Sequence, residues 1–136
     1  MDVVILIGRI AFALLFIASG YAHFSKTAAM TWYADSLGVK PAKPLVLLSG
    51  LFLIVGGAMV ATGAWADVGA LVLVAFLLPT AFSMHPFWKF EGEQQQTEMV
   101  SFMKDLSLAG AALALFGLFV TVGSDLGYTI TGPIFP

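Results

Sequence analysis

No cysteine occurs anywhere in the chain. That excludes structural disulfides, cysteine-based zinc sites, thiolate-ligated iron–sulfur clusters and a thiol nucleophile, and it leaves the redox compartment unmarked. Charge is scarce as well. Only 10% of the residues are Asp, Glu, Lys or Arg, where a soluble domain carries about 25%. The formal net charge of −2 implies neither an acidic nor a basic partner, and no basic stripe points to nucleic acid. The start, Met1-Asp2, lacks the basic region of a signal peptide, and Arg9 interrupts the apolar run behind it. The first helix is therefore expected to stay in the protein.

What fills the chain instead is apolar: 60% of its 136 residues are hydrophobic. A water-soluble domain of this size has nowhere to bury so much apolar surface, so lipid must act as the solvent. Four stretches approach the roughly 20 residues needed to cross a bilayer core about 30 Å thick. They run from about 3 to 24, 44 to 65, 68 to 87 and 100 to 123. Each is far longer than a strand and lacks period-2 alternation. In lipid the backbone must bond within its own segment, so all four are predicted to be helices. The expectation is a single all-α integral membrane domain over 1–136, a four-transmembrane-helix bundle.

The second and third spans are close enough for a tight hairpin near Ala64-Trp65-Ala66-Asp67. The first connection, Ser25 to Lys43, and the third, Trp88 to Met99, carry most of the charge. A short amphipathic helix over Ala28 to Leu37 is expected to lie at the interface. Lys26, Lys40, Lys43, Lys89 and Lys104 fall on the side of these long loops, and only Arg9 on the other. The positive-inside rule puts both long loops in the cytoplasm and both termini outside.

The two helical pairs resemble copies of one another. Gly50, Gly57 and Gly63 precede Gly110, Gly117 and Gly123 by a constant spacing, and His23-Phe24-Ser25-Lys26 is echoed by His85-Pro86-Phe87-Trp88-Lys89. This suggests a parallel two-helix repeat, in which the glycines let helices approach closely in lipid. Pro79 sits within the third span, removes one backbone donor and predicts a kink or a cavity wall there. Thr80 is placed to satisfy part of what the proline frees.

Ionisable side chains inside a membrane face a partner or a wet cavity. His23 and His85 each close an odd-numbered span, and Lys104-Asp105 opens the fourth, so all four reach one level. Asp105 bonded to an imidazole would fix its tautomer. This layer is the candidate ligand site, suited to the oxygens of a quinone head group, with Trp88 and Phe102 among its apolar walls. Anchoring at the membrane boundary is the bland alternative for the same residues. Arg9 lies about 21 Å of helix rise from His23 and belongs to the opposite layer. There a structural ion pair with Asp67 or Asp125 is expected. No His-x-x-x-His, Glu-x-x-His or Cys-x-x-Cys-His motif is present, so no metal site and no covalent cofactor are expected, and haem has little support.

The run from Arg9 to Phe24 resembles the opening helix of the DoxX family of small bacterial and archaeal membrane proteins. The similarity continues through Leu37-Gly38-Val39 with Pro41, through Leu53-Ile54-Val55-Gly56-Gly57 with Gly63, through His85-Pro86-Phe87-Trp88, and through Phe102-Met103-Lys104-Asp105-Leu106. The resemblance implies a four-helix inner-membrane protein in or around electron-transfer chemistry. Relatives include a subunit of thiosulfate:quinone oxidoreductase and components of oxidative-stress and sulfur-handling complexes. It therefore implies a redox partner protein and a quinone. Many relatives have Lys at the position of His23 and Asn at that of Asp105, changes that keep hydrogen bonding but alter charge. Some carry an acid near Leu53, where this chain is wholly apolar. The leading expectation is a small membrane subunit of a redox complex, not an enzyme sufficient in itself. A structural or assembly protein is the rival expectation, followed by a small transporter or a haem-binding protein, and the glycine faces allow packing within one bundle or between copies in a homo-oligomer.

Overall fold

The computed structural model describes residues 1–136. Helix α1 covers Asp2–Ser25, α2 Thr27–Ser36, α3 Ala42–Thr62, α4 Ala66–Met84 and α5 Gly92–Val122. A 3-10 turn at Phe87–Lys89 follows α4, another at Gly123–Asp125 follows α5, and there is no strand. Helices α1, α3, α4 and α5 are long and apolar enough to cross a membrane. The protein is an all-α, multi-pass membrane protein.

The boundaries differ most at the last span. Its helix begins at Gly92 rather than near Val100 and runs for 31 residues, about 46 Å at 1.5 Å per residue. The hydrocarbon core is only about 30 Å thick, so the first turns of α5 project beyond it. The reason is chemical. Gln94-Gln95-Gln96-Thr97-Glu98-Met99 is polar enough to leave lipid yet built mostly of good helix formers, and hydropathy marks where lipid begins, not where a helix begins. Glu98 is carried on this extension.

Helix α1 packs on α3, α3 on α4, and α4 on α5. Phe16, Leu53, Val60, Leu73, Leu77, Ala112 and Phe119 form one core shared by all four. Glycine sets the closest approaches. A Cβ on Gly20 would lie 2.6 Å from Ile54 Cγ1 and 2.7 Å from the Gly50 carbonyl oxygen. The neighbours Gly56 and Gly57 serve opposite sides of α3: Gly57 lies against Ala13, Phe16 and Ile17 of α1, and Gly56 against Gly69 and Leu73 of α4. Without a hydrophobic drive between helices in lipid, such dispersion contacts hold the spans together. The glycines of α5 do not repeat this role. A Cβ on Gly110 or Gly117 would meet nothing within 4 Å, so the spacing shared with Gly50 and Gly57 is not matched in packing.

The interfacial helix is present as α2. It ends in a Schellman motif: Gly38 takes φ +80°, Val39 N–H donates to Ala34 O and Gly38 N–H to Asp35 O. Its Ala34 is buried against Ala42 and Val46 of α3, with Met84 alongside. The helix thus roofs one end of the bundle.

The opposite end is closed by Arg9 and the C-terminal tail. The last carbonyls of a helix have no partner in their own ladder. Arg9 Nε donates to Val60 O at 2.9 Å and Nη2 to Ala61 O at 3.0 Å, while its guanidinium stands 5.6 Å over the Phe119 ring. A cation there also complements the negative end of the α3 dipole. The direct ion pair expected with Asp67 or Asp125 is not formed. Asp67 Oδ2 instead accepts the backbone N–H groups of Ile134 and Phe135 at 2.7 and 2.8 Å, and Asp125 is exposed. Backbone groups that have no other partner in lipid have claimed both buried charges. Thr131 completes the latch, its N–H reaching Gly63 O and its hydroxyl accepting from Trp65 N–H.

Replacing Arg9 by Met should lower stability by about 2–4 kcal/mol, the scale of charge-assisted bonds lost to buried carbonyls. Thermal unfolding in detergent reads this directly. An unchanged midpoint would show that the guanidinium does not close α3.

Candidate functional site

The residues at the roofed end assemble from four helices. His85 follows the last turn of α4, where Pro86 prevents the helix from continuing. Glu98 and Asp105 lie seven residues apart on α5, two turns along one face. The imidazole fits between them: Nδ1 is 2.8 Å from Glu98 Oε2, and Nε2 is 3.6 Å from Asp105 Oδ2. From α2, the Tyr33 hydroxyl donates to Glu98 Oε1 at 2.5 Å and lies 3.2 Å from Met84 O. A buried carboxylate must have its oxygens hydrogen-bonded, and Glu98 achieves this with one phenol and one imidazole. Tyr33, outside the spans, has its pKa pushed up by burial, with the hydrogen bond to Glu98 and that group's negative charge adding to the effect.

Beside this cluster lies a cavity of about 630 Å³, within the size range of small-molecule sites. Its head end is lined by His23, Lys26, Tyr33 and His85, and its apolar part by Met30, Phe52, Phe76 and Met84. His23 Nδ1 is bonded to Ser19 O at 2.7 Å, and the ring meets Phe76 edge-on at 6.2 Å. Pro79 and Ala75, the residue whose carbonyl the proline leaves free, both line the cavity. Ser83, not Thr80, bonds locally at this point, donating to Pro79 O at 2.7 Å.

The two histidines therefore reach one cavity, as their positions in the chain suggest. Asp105 stands behind His85 and touches it, outside the lining. Lys104 does not join: it is exposed, and Lys26 supplies the cavity's ammonium. Trp88 and Phe102 are not cavity walls either. They pack with Phe82 and Phe87 in an aromatic cluster, ring centroids 5.1–6.4 Å apart, on the α4–α5 side. The sequence pattern alone brings neither Tyr33 nor Glu98 into the site. A polar aromatic on a short amphipathic helix was the available signal for Tyr33. For Glu98 the signal was its seven-residue spacing from Asp105, visible only once the helix is known to start at Gly92.

Glu98→Ala should cost about 2–4 kcal/mol, because it strands the Tyr33 hydroxyl and the His85 ring N–H. The Tyr33 bond holds wherever the phenol is protonated. Its contribution is present below the ordinary tyrosine range, about pH 10, and is lost only as pH rises through the higher folded value. Alkaline titration at the phenolate absorbance should show a late-ionising step that is lost in Tyr33→Phe. Three tyrosines titrating together would contradict the cluster.

Comparison with known proteins places this architecture. The DoxX family profile matches residues 4–86, which takes in α1 through α4 and His85. The chain is 29% identical over 117 residues to the inner membrane protein YphA of Escherichia coli (strain K12), covering 83% of this chain and 81% of that protein. No solved structure matches. With more than half its length inside the family profile, the chain belongs to the DoxX family.

Proposed function

We propose that the protein is a small inner-membrane subunit that holds the head group of a lipid-soluble quinone and serves a redox partner protein. The observation that carries this reading is the polarity gradient of the cavity. Its lining on α3 runs from Ala42 to Phe52, about 15 Å of helix rise. Imidazoles, an ammonium and a phenol sit at one end, with apolar groups and the hydroxyls of Ser19, Ser49, Thr80 and Ser83 making up the rest. Leu45, Leu48, Phe52, Ala75 and Pro79 line it and are also exposed, so the cavity opens sideways toward the acyl chains. That shape suits an amphiphile whose tail stays in the bilayer. Electrons would pass to or from the partner, with the chain supplying the binding site.

Binding of a tailed benzoquinone to the protein in nanodiscs is the test. Saturable binding at one site per chain is expected. Ala75→Trp, which fills the cavity from its exposed wall, should weaken it at least about ten-fold without lowering the unfolding midpoint. No saturable binding, or equal affinity in Ala75→Trp, would overturn the reading. The subunit role further requires that a co-purifying oxidoreductase lose quinone turnover with that variant.

In the same reading α2 and the start of α5 face the cytoplasm, following the lysines. The absence of native cysteine makes this clean to measure. Glu93→Cys should be shielded from a membrane-impermeant maleimide in intact spheroplasts, and Ser124→Cys should be labelled. The reverse pattern would invert the orientation.

A further inference from the structure

Hydrogen-bond partners decide which groups at the head of the cavity have a proton to give. A backbone carbonyl only accepts, so the His23 nitrogen facing Ser19 O must be the protonated one in a neutral ring. Nδ1–H is thereby committed, and Nε2 is left as a bare lone pair. It has no protein partner and is not among the enclosed polar atoms, on a ring that lines the cavity. Tyr33 has spent its single proton on Glu98. Its oxygen keeps lone pairs, and its raised pKa keeps it a phenol. His85 has Nδ1 bonded to Glu98 and Nε2 directed toward Asp105. The free capacity of these rings is therefore to accept.

From this we infer that the cavity selects a head group bearing hydroxyl donors, the hydroquinone form over the quinone, with His23 Nε2 and Tyr33 Oη as the accepting atoms. The inference rests on the cavity reading proposed above and specifies which redox form it takes. A quinone oxygen has no hydrogen, so at both positions it would set lone pair against lone pair. A hydroquinone O–H pairs with either. Thr80 lines the cavity with a hydroxyl that serves both forms alike. Lys26 is a donor, but it stands exposed at the rim, where water competes for it. Leaving an acceptor unmatched in a water-poor site discriminates more strongly than adding a match improves binding.

The experiment compares dodecyl hydroquinone, kept reduced under anaerobic conditions, with dodecyl benzoquinone, by calorimetry on the protein in nanodiscs. The hydroquinone is expected to bind about ten-fold more tightly, on the scale of one or two neutral hydrogen bonds. His23→Phe should remove most of that preference by weakening the hydroquinone and leaving the quinone unchanged. Equal affinities, a tighter quinone, or equal weakening of both in His23→Phe would overturn the selectivity while leaving the cavity reading intact. Failure of both ligands to bind would overturn the two together. A second measurement does not depend on any variant folding. The chain has two histidines, and their ¹⁵N shifts distinguish a protonated from a bare ring nitrogen. A bare Nε2 on His23 is expected, and a protonated one in the neutral ring would refute the assignment.

Discussion

A polar group buried away from water must find its partner within the protein, and each end of this bundle is organised by that constraint. At the hairpin end the orphaned carbonyls of α3 draw in Arg9 from α1, and the free amides of the tail draw in Asp67 from α4. At the roofed end Glu98 gathers a phenol from α2 and an imidazole from the end of α4. Each cluster joins elements that apolar packing alone would leave free to slide. Dispersion between spans is not directional, whereas a guanidinium on two carbonyls fixes depth and rotation together.

On the α3–α4 side the cavity lies where the glycine contacts stop. Near the hairpin, Gly56 and Gly69 bring the backbones of α3 and α4 into contact. Farther along the same two helices, Phe52, Leu48, Ala75 and Pro79 face the cavity instead. Proline in a helix interior removes a backbone bond and favours a bend, so Pro79 lies where α4 gives up close contact with α3. Helix α2 covers the end of the cavity, and its Tyr33 is tied to α5 across the end of α4. Helix α3 stays close to α1 at both levels, at Gly57 and again at Gly50, and the cavity opens on its α4 side.

Much of this was legible in the sequence, because the signals concerned solvent. The four spans, the interfacial helix and the common level of His23 and His85 all follow from where apolar runs begin and end. Partner choice was not legible. Arg9 and Asp67 are opposite charges at one depth, and Coulomb attraction predicts a pair, yet unpaired backbone groups nearby compete for both. Nothing in residue type reveals that the α3 carbonyls point at Arg9. Lys104 beside Asp105 illustrates the same limit. Adjacent residues on a helix point about 100° apart, so a buried Asp105 leaves Lys104 facing outward, and Trp88 and Phe102 join the aromatic cluster beyond it. Glu98 was obscured for a different reason. Hydropathy marks the membrane boundary and not the helix boundary, so an acid on the projecting turns of α5 lies outside the apolar span.

The His85 cluster also reassigns the roles of the two histidines. On position alone they are equivalent, each closing a span at one depth. Their partners divide them. His85 has a carboxylate at each nitrogen and a neighbour on each side, so it holds α4 to α5 and has little hydrogen-bonding capacity left for a ligand. His23 bonds only to its own helix, one turn back, and keeps its second nitrogen open to the cavity. A ring held in place by local backbone with one free nitrogen suits ligand contact, while a ring bonded to one carboxylate and facing a second suits structure. The identity of the side chain at this position has a chemical consequence. An ammonium has only donors, whereas a neutral imidazole held in this tautomer offers an acceptor. The same cavity with lysine would favour a carbonyl oxygen, and with His23 it favours a hydroxyl.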